Sequence, residues 1–235
     1  MARDYKESVL ARFEATGDVE AYTEAVSLYE EAVASDPDNA ELLHSLGYLH
    51  ECRGRQLIKE AARCYERCIE IAPDWQKGHF QWIQALSALG ETETAIKRYK
   101  KAIEEHPDDP SEYVRLTACY LKVDQLAEAE LVITTALKLY PKDAMTLYWA
   151  GEVHARLDRP DVAIDCWNKT LAADPTLVDV RYSLAFLLER LGRLEEAAEQ
   201  WRAIIDFLKA NGFEIEAEWP ERELSRLERV LAKDR

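Results

Sequence analysis

The chain has 235 residues, 48% of them hydrophobic and 32% charged, with only 8 Gly and 8 Pro. It is too apolar for a disordered chain and long enough for one large domain or two small ones. A net charge of −15 disfavours nucleic acid as a partner, because phosphate backbones are bound by neutralising them with Lys and Arg.

The start, MARDYKESVL, carries Arg3, Asp4, Lys6 and Glu7 and does not read as a secretory leader. No stretch approaches the roughly 18 apolar residues of a membrane span, so no membrane insertion is expected. Five Cys, at 52, 64, 68, 119 and 166, are scattered through helical segments. An odd, scattered set fits a reducing, cytoplasmic location with the thiols packed as small core residues.

Helix formers dominate and alternation of β-branched residues is almost absent, so the chain is predicted to be all-α. Residues Ala2–Ala15 form the first expected helix, with Tyr5, Val9 and Phe13 on one stripe and Thr16-Gly17-Asp18 closing it. The next is expected from about Ala21 to Ala34. From there prolines recur at Pro37, Pro73, Pro107, Pro141 and Pro175, spaced 36, 34, 34 and 34 residues apart. Proline in a helix interior costs about 3 kcal/mol, so this ladder marks regularly spaced helix ends.

Twelve residues before each of these prolines stands an alanine: Ala25, Ala61, Ala95, Ala129 and Ala163, with Ala197 continuing the series. Close helix approach explains them, since Leu at such a place would overpack by about 1–3 kcal/mol. One helical turn on comes Tyr29, Tyr65, Tyr99, Ile133, Trp167 and Trp201, on the same face. Earlier in each unit Leu46-Gly47, Trp82-Ile83, Leu116-Thr117, Ala150-Gly151 and Leu184-Ala185 line up. Turn residues Gly54, Gly90, Asp124, Asp158 and Gly192 divide each unit into two helices. The unit Ala144–Pro175 is read as helices Ala144–Leu157 and about Asp161–Ala173 around the turn Asp158-Arg159-Pro160. The two-residue insertion between Gly54 and Ala61 is expected to lengthen a turn. After Trp201, Asn211-Gly212 signals a helix end, and Trp219-Pro220 is read as opening a last helix over about Pro220–Lys233.

Leu46-Gly47 followed by Ala61, Tyr65 and Pro73, and Ala95, Tyr99, Ala102 and Pro107 in the next unit, resemble the tetratricopeptide repeat. The resemblance runs from about Ala21 to Ile205; His79 and Arg181 depart from it by replacing large apolar residues. It implies an all-α, right-handed superhelical solenoid of about thirteen helices in one domain. Residues 1–39 would be an incomplete leading repeat, 40–75, 76–109, 110–143, 144–177 and 178–211 the repeats, and 212–235 a capping helix.

In that family the first helices of successive units line a concave groove. The resemblance would place there His44, Phe80, Tyr148 and Tyr182 in one column, and Tyr48, Gln84, Glu152 and Phe186 a turn further on. Gln81, Arg115 and Trp149 lie beside them. Such aromatics either anchor a partner's peptide or pack between neighbouring helices. Lys122, Arg156 and Arg190 recur at 34-residue spacing; they either form a basic strip for an acidic segment or, the preferred reading, complement the dipoles of the helices they end. The asparagines of the family's carboxylate clamp are missing, so that device is not expected.

The function expected is therefore a scaffold that binds a peptide or helical segment of another protein. Self-association into a homo-oligomer, through the last helix or the outer face, is the alternative. His50, Cys64 and Cys68 supply three atoms that would begin a zinc site, but core packing is preferred. No Gly-rich phosphate loop or nucleophile elbow occurs, and neither an enzymatic activity nor a cofactor is expected.

Overall fold

The computed structural model describes residues 19–51 and 55–232, which contain twelve helices and, among these residues, no strand. They are α1 (Val19–Ser35), α2 (Ala40–Glu51), α3 (Arg55–Ile71), α4 (Gln76–Leu89), α5 (Thr92–Glu105) and α6 (Pro110–Lys122). There follow α7 (Leu126–Leu139), α8 (Ala144–Arg156), α9 (Pro160–Ala173), α10 (Val178–Arg190), α11 (Leu194–Ala210) and α12 (Glu214–Leu231). The fold class is an all-α helical-repeat solenoid. Two compact units divide it, one ending at Ala102 and taking in Lys122–Asp124, the other made of Ile103–Leu121 and Gln125 onward. In the first, α2 packs on α1 and α3, and α3 on α4. In the second, α8 packs on α7, α9 and α10, while α11 packs on α10 and α12.

Helix ends follow the proline ladder. α1, α3, α5, α7 and α9 each stop two residues before their proline. The residue just before Pro37, Pro73, Pro141 and Pro175 gives the last i→i−4 bond, at 2.7–3.0 Å. A residue preceding proline is pushed out of helical conformation, so the bond is the last available. The turn inside each hairpin also repeats. Gly90, Asp124, Asp158 and Gly192 all have φ between 56° and 78°. The N–H after each reaches back five residues, as in Glu91 to Leu86 O (2.8 Å) and Arg159 to His154 O (2.9 Å), the Schellman closure.

The seam between the two helices of a hairpin is where the small residues act. All six ladder alanines are buried, as is the whole column from Tyr29 to Trp201. Gly47 and Gly151 let an aromatic ring lie directly on the facing backbone. A Cβ on Gly47 would meet Tyr65 Cε1 at 2.9 Å, and one on Gly151 would meet Trp167 Cδ1 at 2.5 Å. The indole N–H of Trp167 then donates to the Tyr148 carbonyl at 3.1 Å. In the next hairpin Ala185 fills that space, and the indole N–H of Trp201 donates instead to Glu189 Oε1 at 2.8 Å. His79, the departure from the apolar pattern, is a satisfied core residue: it makes a 2.8 Å bond to the Pro73 carbonyl and a 2.9 Å bond with the Tyr99 hydroxyl.

Three boundaries differ from expectation. Pro160 is the first residue of α9 rather than part of a turn; its missing N–H is no loss at N1. The insertion lengthens α3, not a turn: α3 starts six residues before Ala61, whereas α5, α7, α9 and α11 start three before their alanine. Added helix at an open end leaves the alanine face in register. α12 begins at Glu214, so Pro220 lies inside it. Burial of Ala217 together with Pro220 and Leu227 holds the turn ahead of the proline in helical form. Finally, the helix expected over Ala2–Ala15, and Gly54, Cys52 and Lys233, lie outside the described residues.

Candidate functional site

In the first unit Tyr48, Phe80 and Gln81 are half-buried, and Gln84 and Lys122 are exposed. Lys122 Nζ donates to Gln84 Oε1 at 3.1 Å. Glu51 accepts from the Tyr65 hydroxyl at 3.2 Å, and burial raises its carboxyl pKa, with that bond and Lys122 pulling the other way. His44 is not on the surface: it is 7% exposed, between the rings of Trp75 (5.0 Å) and Tyr65 (5.4 Å). An imidazole has no periodic signature separating groove from seam, and here two aromatic neighbours enclose it.

Burial, aided by the positive charge of Lys77, lowers the His44 pKa to about 4. Its folded pKa thus lies below its unfolded value near 6.5. Between these two pH values the unfolded chain binds more protons, so stability is lost as pH falls from 7 to 4. Allowing for partial solvent screening, this amounts to about 2 kcal/mol. Denaturant unfolding of wild type and His44→Gln at pH 7 and pH 4.5 should show a smaller acid loss in the variant. The raised carboxyls, which act in the opposite sense, are common to both proteins.

In the second unit Arg115 also departs from the surface reading. It is 3% exposed and donates to Glu112 Oε1 at 2.6 Å, so it belongs to no exposed basic strip. Arg156 and Arg190 are exposed in the last turns of α8 and α10, where a cation complements the helix dipole. Tyr148 and Trp149 are half-buried, edge to face at 5.6 Å.

What α8 and α10 bring together is more specific. Ser183 Oγ donates to Glu152 Oε1 at 2.7 Å. Burial raises the Glu152 pKa, while the Ser183 bond and Arg156 oppose it. Around this pair Phe186, Arg190, Leu187, Ala155 and Trp167 line a cleft of about 340 Å³. Phe186 is 52% exposed at its edge. Beside it an aromatic cluster centres on buried Trp201, with Tyr182, Phe186 and Trp219 all edge to face on it at 5.3–5.7 Å. Tyr182 and Trp219 stack on each other at 5.9 Å and 27°. Ser183 and Trp219 were not among the residues expected here. The reading of Pro220 as a helix start hides Trp219, although the apolar stripe Leu227, Leu224 and Pro220 continues upstream to Ala217.

The three suggested metal ligands do not converge. His50 Nδ1 lies 3.5 Å from the Tyr22 hydroxyl, and burial pushes the Cys64 and Cys68 thiols up to about 11. Among the described residues no group of three His, Cys, Asp or Glu is arranged to hold an ion, and no helix is long and apolar enough to cross a membrane.

Stacked hairpins with an alanine–aromatic seam and a lined cleft define a helical-repeat protein of the protein-interaction type. The chain belongs to the tetratricopeptide repeat family: tetratricopeptide models match residues 86–150 and 156–210. The chain is 25% identical over 142 residues to the BBSome complex member BBS4 of Bos taurus, covering 60% of this chain and 27% of that one. It is 23% identical over 176 residues to the peroxisomal targeting signal receptor of Kluyveromyces lactis, covering 74% and 31%. It thus spans about a third or less of those relatives. Among solved structures, a thermophilic tetratricopeptide protein from Thermus thermophilus superposes with a TM-score of 0.58 at 20% identity, over 80% of this chain and 98% of that one. Proteins of this family and fold are generally non-enzymatic scaffolds that bind other proteins.

Proposed function

We propose that the chain is an interaction scaffold that receives a segment of a partner protein on the face made by α8, α10 and α12. The observation that carries this is the chemistry of the cleft. Its carboxylate, Glu152, and its guanidinium, Arg190, stand beside an apolar wall of Phe186, Leu187 and Trp167. A peptide presents the complement: an N–H for the acid, a carbonyl for the Arg, and a side chain for the wall. The exposed aromatics add large contact area at low entropic cost, and a preformed helical face spends little on ordering. That one relative is a receptor for a targeting signal agrees with a segment-binding role. On the same reading Tyr48, Phe80, Gln81, Gln84 and Lys122 form a second contact area on the first unit, and all five repeats with the last helix act as one domain.

Peptides selected from a random display library against the full chain test the proposal. Phe186→Ala combined with Trp219→Ala should weaken the selected peptides at least tenfold in fluorescence polarisation. Melting should change by only a few degrees, since both rings are largely at the surface. Undiminished affinity would place the binding face elsewhere.

A further inference from the structure

The outer face of α7 breaks a rule that the other repeats keep. In 34-residue register its exposed column reads Arg63, Lys97, Leu131, Asp165 and Glu199. Four members are charged, as a solvent-facing helix requires, while Leu131 is 70% exposed. Thr135 and Leu139 follow at i+4 and i+8, and Leu139 is 52% exposed. The inner face of the same helix is already apolar through Ala129, Ile133 and Ala136. α7 thus adds to its buried seam face an exposed strip on which Leu131 and Leu139 flank Thr135, with Glu128 and Lys138 at its two ends, and such a strip marks a contact surface.

We propose that a second copy of this chain covers it, α7 pairing with α7 about a two-fold axis in antiparallel sense. Charge placement selects this occupant. Glu128 lies in the first turn of α7 and Lys138 in the last, with Lys142 just beyond, all exposed. An antiparallel two-fold brings Glu128 of one copy toward Lys138 of the other and lays Leu131 against the Thr135–Leu139 stretch. It also opposes the two helix dipoles. A parallel arrangement would set acid on acid and base on base. The contact is isologous, so it closes at two copies. It uses one helix per copy, below the roughly 800 Å² per partner of a tight interface, so its Kd is expected on the order of tens of micromolar.

Sedimentation velocity of the full chain from about 1 to 500 μM is the test, and the mass should rise from monomer toward dimer. Leu131→Lys, which restores the charge of the column, should weaken dimerisation at least tenfold and leave the melting curve unchanged. Glu128→Lys should weaken it, and Glu128→Lys with Lys138→Glu should recover it. A monomer at every concentration would leave the face to a foreign chain or to this chain's own segments and overturn the proposal. So would a dimer indifferent to Leu131→Lys, or one that the charge exchange fails to restore.

Discussion

Gly151→Ala is expected to lower the stability of the chain by about 3 kcal/mol, although alanine is the better helix former. The helix-propensity gain is about 1 kcal/mol. Against it, the new methyl would lie 2.5 Å from Trp167 Cδ1 and 2.8 Å from Cε2, so the indole must move. A forced repacking costs about 1–3 kcal/mol, and the bond from Trp167 Nε1 to the Tyr148 carbonyl is lost, leaving a buried donor unsatisfied for about 1–3 more. Thermal melting should fall by roughly 10 °C. The hairpin of α6 and α7 carries Thr117 and Ile133 at the corresponding positions, both fully buried. Gly151→Thr should therefore be severe beside Trp167 and mild in a Trp167→Ile background. A double-mutant cycle should give a coupling of about 2 kcal/mol or more; additivity would mean that the ring and the glycine are not matched to each other.

Trp201→Ala carries the other large effect, about 3–5 kcal/mol for a fully buried tryptophan. The consequence is local as well as global. Trp201 is the ring on which Tyr182, Phe186 and Trp219 all rest. Its indole donates to Glu189, whose other oxygen accepts from Arg226 of α12. Without it α12 loses its seat on α11. In stacked repeats stability is a sum of neighbour terms, and ends fray first. Hydrogen exchange should accordingly show α12 and the second half of α11 unprotected while α8 and α9 keep their protection. Peptide binding should disappear with the fraying, in contrast to the surface pair Phe186→Ala and Trp219→Ala, which weakens binding without loosening the end. Uniform loss of protection across α8–α12 would contradict this nearest-neighbour picture.

The seam was readable from sequence because its constraint is steric and repeats: only alanine fits at Ala25 through Ala197, so the period shows without any structure. The turns were readable for a similar reason, each using Gly or Asp to reach positive φ. The site was read less well. Arg115 illustrates why: on a helix adjacent positions differ by about 100°, and α6 is buried continuously from Tyr113 to Leu121. Where every face is covered, periodicity no longer tells inside from outside. Trp219 was missed because Pro220 looked like a start, when tertiary packing of Ala217 carries the helix through it. Column spacing put Glu152 with Phe186 and left Arg190 in a separate column read as complementing a helix dipole; the structure lines one cleft with all three and adds the bond from Ser183 to the acid.

The central claim is that another protein's chain lies against Phe186. A photo-crosslinking residue at position 186 of the full-length protein, expressed in its own cell, tests it most directly, with the exposed outer position 97 as control. The account predicts a discrete adduct with a different protein from position 186 and none of that mass from position 97. Adducts equal at both positions, or from position 186 only to this chain itself, would contradict it.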